Sequence, residues 1–353
     1  MNPAHLNRIV NALLYEGYLL YPYRPSVKNR HRWTFGGIYP AAYCAGRAGS
    51  DACSAQAECL VTGPPQATIW ASVRFLHLQE RSLGELDPPL PAWPANAEPA
   101  YQRVAQLEAG GRVYQSWQEA VERTVLVADC PLAELLDQPR ECEFHFPAGR
   151  AFEPLHEAGQ VVGVVVRERE TVGGRVTLRA APAADGLSRL TVQVRNESAW
   201  HAGGPAERDQ ALLHALVSAH IVLTVQDGDF VSLLDPPERW REPAAACNNQ
   251  GLFPVLVGEQ GERDTILASP IILYDYPEVS AESPGDLFDA TEIDEILTLR
   301  IMTLTEEEKR AVAALDDRAR ALLARTESLT PEALLNLHGT IRSLRPVGGP
   351  AHD

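Results

Sequence analysis

Residues 175–195, RVTLRAAPAADGLSRLTVQVR, hold two runs in which apolar and polar side chains alternate. Val176, Leu178 and Ala180 interleave with Arg175, Thr177 and Arg179; Leu190, Val192 and Val194 interleave with Arg189, Thr191, Gln193 and Arg195. A period of two sends alternate side chains to opposite faces of a strand, so each run reads as a strand buried on one side. Asp185-Gly186 between them suits a tight turn, and the pair is expected to be a hairpin with its arginines on the solvated face. Just upstream, VVGVVV at 161–166 is apolar on both faces and suits an interior strand. Residues 143–200 therefore read as part of an antiparallel sheet or sandwich.

Working outward, Thr68–Leu78 alternates and reads as a strand, and further strands are expected at Ile221–Val225, Phe253–Val257 and Thr265–Leu273, with a turn at Asp227-Gly228. A helix is expected over Ala206–Val217. Another begins at Asn2-Pro3 and runs with Leu6, Ile9, Val10, Leu13 and Leu14 at helical spacing toward Gly17. Prolines at 88, 89, 91, 94 and 99 mark 87–100 as a connection, because proline fixes the backbone and removes an amide donor. Toward the C-terminus, Asp289 with Glu292 and Thr305 with Glu308 match capping boxes, and Thr330-Pro331 marks one more helix start. The expected fold is α+β: a central antiparallel sheet or sandwich with a C-terminal helical segment. The divisions are 1–86 (helix, basic aromatic loop and strands), 87–100 (connection), 101–275 (mainly β core) and 276–353 (acidic and helical).

At 353 residues, with 45% hydrophobic and 22% charged side chains, the chain has the composition of a globular protein and the length for two domains. Its apolar runs, Val161–Val166 and Ala219–Val225 among them, fall short of the about 20 residues a membrane helix needs. MNPAHLNRIVNALL lacks the basic leader, apolar core and small-residue cleavage site of a secretion signal, so a cytoplasmic location is expected. A net charge of −16 repels a polyphosphate backbone, which argues against nucleic-acid binding. Six cysteines without a secretion signal argue against a disulfide scaffold.

The charge is unevenly spread. Arg24, Lys28, Arg30 and Arg32, with His31, fall in YPYRPSVKNRHRWTFGG without an acid, whereas eleven acids from Asp275 to Glu308 face only Arg300. The basic loop could clamp a carboxylate or phosphate, since arginine presents a planar fork of donors and Tyr21, Tyr23, Trp33 and Phe35 could exclude water. Equally, its aromatics could be core and its arginines could pair with the chain's own acidic segment. There Asp286, Asp289, Glu292 and Glu295 recur every three residues, as a hard-cation site would need, yet helix capping accounts for the same pattern. Cys44, Cys53 and Cys59, with His31 upstream, are ligand types for zinc or an iron–sulfur cluster, but no Cys-x-x-Cys pair prearranges them. Strand alternation puts Cys142 and His145 on opposite faces. Cys247 before Asn248 and Asn249 reads either as a nucleophile in a polar turn or as a buried small hydrophobe. No nucleophile elbow, phosphate-binding loop, zinc-protease helix or dinucleotide fingerprint is present, and Gly36-Gly37, Gly110-Gly111 and Gly173-Gly174 read as turns.

Two stretches, YLLYPYRPSVKNRHRWTFGG and CNNQGLFPVLVGEQGERDTILASPIILYDYPEVSAESPGDLFDATEIDEILTLRIMTLTEEEK, together resemble a family of uncharacterised bacterial proteins associated with gene clusters for high-affinity uptake nickel–iron (NiFe) hydrogenases. The resemblance implies a setting and carries no activity onto particular residues. In that setting the expectation is a non-enzymatic accessory protein that binds a hydrogenase subunit or maturation factor, through the basic loop (Arg24, Lys28, Arg30, His31, Arg32, Trp33) and the acidic segment (Asp275, Asp286, Asp289, Glu292). The alternatives are a metal-binding protein or metalloenzyme using Cys44, Cys53, Cys59 or the carboxylates near Asp286, and a module holding a small anion at the basic loop.

Overall fold

The computed structural model describes residues 6–11, 13–14, 36–45, 51–95, 97–201, 207–277, 304–313 and 317–328. Antiparallel strands dominate, layered as a sandwich with few helices. In chain order they are β1 (Ser54–Thr62), β2 (Thr68–Leu90), β3 (Gln102–Val104), β4 (Gln106–Ala109), β5 (Arg112–Gln115), β6 (Trp117–Pro131), β7 (Arg140–Phe146), β8 (Gly149–Glu157), β9 (Gln160–Arg169), β10 (Val172–Ala184), β11 (Leu187–Asn196), β12 (Val217–Gln226), β13 (Asp229–Val231), β14 (Phe253–Leu256) and β15 (Thr265–Ser269). A five-stranded sheet has the order β13, β1, β11, β10, β7; an eight-stranded one has the path β14, β15, β12, β2, β9, β8, with β3 and β6 also paired to β2. The β4–β5 hairpin stands apart.

The expected hairpin is β10 and β11, with Val176 opposite Val194, Leu178 opposite Val192 and Ala180 opposite Leu190. These side chains face those of β2 (Ile69, Ala71, Val73, Phe75), β12 (Ile221, Leu223, Val225) and β15 (Ile266, Ala268) in one buried cluster. Burying each large aliphatic or aromatic side chain contributes about 1.5–3 kcal/mol, and this term holds the layers together. The outer face of the hairpin departs from expectation at one position: Thr191 is buried, because Glu58 and the chain at Asn248 cover it.

The strand expected over Thr68–Leu78 continues as β2 to Leu90, where it pairs with Val161. Pro88 and Pro89 fall within the register shift between Glu85 and Leu90, a place where the ladder asks no amide of them. β2 changes neighbours along its length. On one edge β12 pairs with it as far as Leu76, and β9 takes over at Glu80; on the other, β6 pairs to Arg81 and β3 follows at Leu83. Residues 77–79 thus form a seam where one edge lacks a strand partner. Beyond it, Leu83, Ala109, Leu155 and Val165 make a second small core. Gly163 interrupts the VVGVVV run because a Cβ there would collide with Leu107 of β4 and the Gly84 carbonyl.

The helix expected over Ala206–Val217 is shorter, Glu207–Leu212. Ile38 exchanges two backbone hydrogen bonds with Leu216, and sheet pairing there overrides helical propensity. β15 ends at Ser269 rather than Leu273, since Pro270 has no amide to donate. Residues 6–11 and 13–14 are helical, and Ile9, Val10 and Leu13 cover Val222, Val255 and Leu267 on the outer side of the large sheet. The C-terminal segment is helical at Glu306–Ala313, directly after Thr305, and at Asp317–Glu327. Lys309 ties the two helices, with Nζ 3.1 Å from Glu306 and 3.0 Å from Glu327.

Candidate functional site

The inward face of β2 reads Phe75, His77, Gln79, Arg81, Leu83. Apolar residues at each end belong to the two cores, and a polar band lies between them. Arg81, 7% exposed, donates from Nη1 to Glu119 Oε1 at 2.9 Å and from Nε and Nη2 to the Gln115 carbonyl at 3.1 and 2.8 Å. The other Glu119 oxygen accepts from Arg167 Nε at 2.8 Å and Gln79 Nε2 at 3.1 Å, and Arg167 reaches Glu153 at 2.7 Å. Burial would raise the Glu119 carboxyl, but the hydrogen bond and charge of Arg167 and the charge of Arg81 hold it below the usual carboxylate range. Two guanidiniums and two carboxylates thereby balance.

At the seam the balance stops. His77 is fully buried, and its Nε2 lies 2.8 Å from the Glu170 carbonyl. A carbonyl only accepts, so Nε2 carries the hydrogen and Nδ1 is left to accept from Arg123 Nε at 3.5 Å. Burial chiefly lowers the pKa of His77 to about 4; the Glu170 carbonyl opposes the drop, and Arg123 and Arg169 add to it. Arg123 stands 4.8 Å from the centroid of the Phe146 ring. Arg169, at the end of β9, lies across Gly149, where a Cβ would strike its guanidinium. Among the described residues neither Arg123 nor Arg169 has an ion-pair partner.

A third polar cluster sits on the outer face of the smaller sheet. The buried Glu58 carboxylate accepts from Thr191 Oγ1 at 3.2 Å and from the Asn248 amide at 2.8 Å, with Arg189 Nε at 3.9 Å. Asn249 Oδ1 accepts the Glu58 amide at 2.7 Å. Beside them, burial lifts the Cys247 thiol to about 11, against the lowering influence of Arg189. Cys247 is therefore a protonated, half-buried thiol, and its two asparagines are a clamp on β1.

Of the residues singled out in the sequence, Arg24, Lys28, Arg30, His31, Arg32, Trp33, Asp286, Asp289 and Glu292 lie outside the described residues. Asp275 faces inward at both oxygens, accepting from the Leu256 amide at 2.8 Å and from the Ser232 hydroxyl. Cys59 is in the main core, where burial raises its thiol. Cys44 packs with a separate cluster that includes Tyr39 and Tyr43. Cys53 precedes β1, and its carbonyl accepts the Asn196 amide. Among the described residues no three His, Cys, Asp or Glu side chains are grouped to hold a metal ion. Cys142 faces the core with Phe144 and Phe146 while His145 is exposed, on opposite faces as expected. The Arg81, Glu119, Arg167 band and the Arg123–Arg169 corner were not anticipated. Their signal was present in the sequence as charges occupying the inward register of long strands.

Past β15, Ile271 and Leu273 pack against the outer cluster, whereas Ile272 and Tyr274 are 74% and 87% exposed. The Tyr276 amide, at the end of this extended stretch, donates to the Leu256 carbonyl at 2.7 Å. No helix among the described residues is long and apolar enough to cross a membrane. In comparisons with known proteins, no family model and no curated protein matches the chain significantly.

Proposed function

We propose that the chain is a non-enzymatic accessory protein that holds a protein partner in the cytoplasm. The partner class is a hydrogenase subunit or maturation factor, in the setting to which the resemblance of the terminal motifs points. The observation that carries the reading is the pair Ile272 and Tyr274: two large side chains, 74% and 87% exposed, on a stretch whose alternate residues, Ile271 and Leu273, are half-buried against the cluster of Val222, Val255 and Leu267. Rigidly presented tyrosine and aliphatic side chains are what protein interfaces use as anchors, and the acidic segment follows directly. Burial also leaves the thiols of Cys59 and Cys247 protonated and the imidazoles of His77 and His220 neutral. None of the four is poised to exchange a proton near pH 7.

The test is co-purification of the tagged full chain from cells making a nickel–iron hydrogenase. The expected outcome is recovery of a hydrogenase subunit or maturation factor with the natural sequence and its loss, at unchanged thermal midpoint, with Ile272→Ser/Tyr274→Ser. Recovery of neither class of protein with the natural sequence overturns the proposal.

A further inference from the structure

We propose that the corner formed by β6, the end of β9 and the turn from β7 into β8 is a binding site for a dianionic oxyanion, a phosphate group or a dicarboxylate, gripped by Arg123 and Arg169. The charge pattern is the first reason. Acids outnumber lysines and arginines 47 to 31 in this chain, and Arg74, Arg81, Arg167, Arg175 and Arg208 each hold a carboxylate within 3.3 Å. Arg123 and Arg169 have no such partner among the described residues, and both border His77, with Arg123 Nε 3.5 Å from its Nδ1. Burial and the charge of Arg169 both lower the proton affinity of Arg123, so the pair stands under repulsion that the surrounding fold does not relieve.

Hydrogen bonding is the second. Arg169 Nε is buried without an acceptor, an arrangement that costs free energy until an oxygen arrives. The surroundings then define the ligand. Glu119 and Glu153 are already committed to Arg81 and Arg167, His77 is neutral with its hydrogen given to Glu170, and Phe146 backs the Arg123 guanidinium. Among the described residues two positive charges are left over, and one dianion neutralises them. Guanidinium forks match the oxygens of phosphate and carboxylate groups, and Gly149 leaves room for the Arg169 fork.

The experiment follows the thermal midpoint of the full chain during titration with inorganic phosphate and, separately, malonate, against chloride at matched ionic strength. One of the two dianions is expected to raise the midpoint by about 2 °C over chloride at tenfold its dissociation constant, and which one does so identifies the class. Arg123→Gln and Arg169→Gln should abolish the rise, yet in chloride alone melt at or above the natural sequence because repulsion is relieved. Arg123→Lys keeps the charge and loses the fork, and should weaken binding at least about fivefold; it decides the matter if a glutamine variant does not fold. The proposal fails if neither dianion exceeds chloride, if the rise persists in the variants, or if both glutamine variants melt well below the natural sequence while Arg123→Lys binds unchanged.

Discussion

Around Glu58, a buried carboxylate is met by a hydroxyl, a backbone amide and a guanidinium, whereas at the seam of β2 two guanidiniums repel each other and, among the described residues, pair with no carboxylate. Both clusters are built on antiparallel strands, and both remove charge from water. In the first, chain segments far apart in sequence, β1 and the stretch after Cys247, supply opposite partners, and the charge works as a clamp. In the second, the strands bring like charges together; Arg189 Nε and Arg169 Nε are both buried without a hydrogen-bond partner, but Arg189 has the Glu58 carboxylate 3.9 Å away and Arg169 pairs with no carboxylate among the described residues. The contrast separates polar groups that complete a fold from polar groups that the fold holds ready. The Arg81–Glu119–Arg167 band, on the same face as the seam, belongs with the first kind.

The sharpest break of this contrast comes from Glu119. Replacing it with alanine leaves Arg81, 7% exposed, without a counter-charge, and breaking a buried pair from one side costs about 3–5 kcal/mol. Urea unfolding should show the unfolding free energy falling by that amount, while Arg123→Gln, a few residues along the same strand, is neutral or stabilising. Equal losses at the two positions would erase the distinction between balanced and unbalanced charge.

Next in size is a pH effect. The folded pKa of His77 is about 4, below the ordinary value of about 6.5 for an unfolded chain, so the unfolded state binds the proton more readily. Stability is therefore complete above about pH 6.5 and falls as pH drops toward 4, by about 3 kcal/mol from this residue. His220, with a pKa also lowered to about 4 by burial, contributes in the same window. Chemical denaturation between pH 7 and 4 should show His77→Gln losing about half of the slope of the natural sequence. An unchanged slope would mean that His77 keeps close to its ordinary proton affinity in the folded chain, against its burial and the charges of Arg123 and Arg169.

The sandwich was legible in the sequence wherever the inward register was apolar. Val176 to Val194 announced β10 and β11 through their period alone, and the Asp185-Gly186 turn fell where it was expected. What was not legible arose from tertiary pairing. The exchange of bonds between Ile38 and Leu216 shortened a helix, and β2 ran through Pro88 and Pro89 to meet β9 again at Leu90, inside the start of the expected 87–100 connection. The polar band escaped for a related reason: Gln79, Arg81 and Glu119 break alternation, and a run of charges in a strand reads as solvated until the strand across from it is known. Asp275 was noticed as part of an acidic stretch, yet its position is set by the Ser232 hydroxyl and the Leu256 amide, and no local pattern reveals either partner.

Glu58→Gln tests the clamp more gently. The amide can still accept from Thr191 or Asn248 but loses the charge, and a hydrogen bond to a charged group exceeds a neutral one by about 1 kcal/mol. A destabilisation of about 1–1.5 kcal/mol is expected, together with faster alkylation of Cys247, whose thiol that clamp helps keep buried. Thiol reactivity measured in the native state checks the second part, and a loss of stability without any gain in reactivity would detach Cys247 from the Glu58 cluster.

The smallest expected effect is at the exposed stretch after β15. Ile272 and Tyr274 project away from the residues that Ile271 and Leu273 pack against, so Ile272→Ser/Tyr274→Ser removes little buried area and should change unfolding free energy by no more than about 0.5 kcal/mol. The comparison gives that small number its meaning. A side chain that contributes to the fold shows itself in denaturation, as Glu119 and Glu58 should, and one reserved for a partner shows itself only when the partner is present. If the double variant instead unfolds at markedly lower urea, these two side chains belong to the fold, and the surface that holds a partner must be sought elsewhere on the chain.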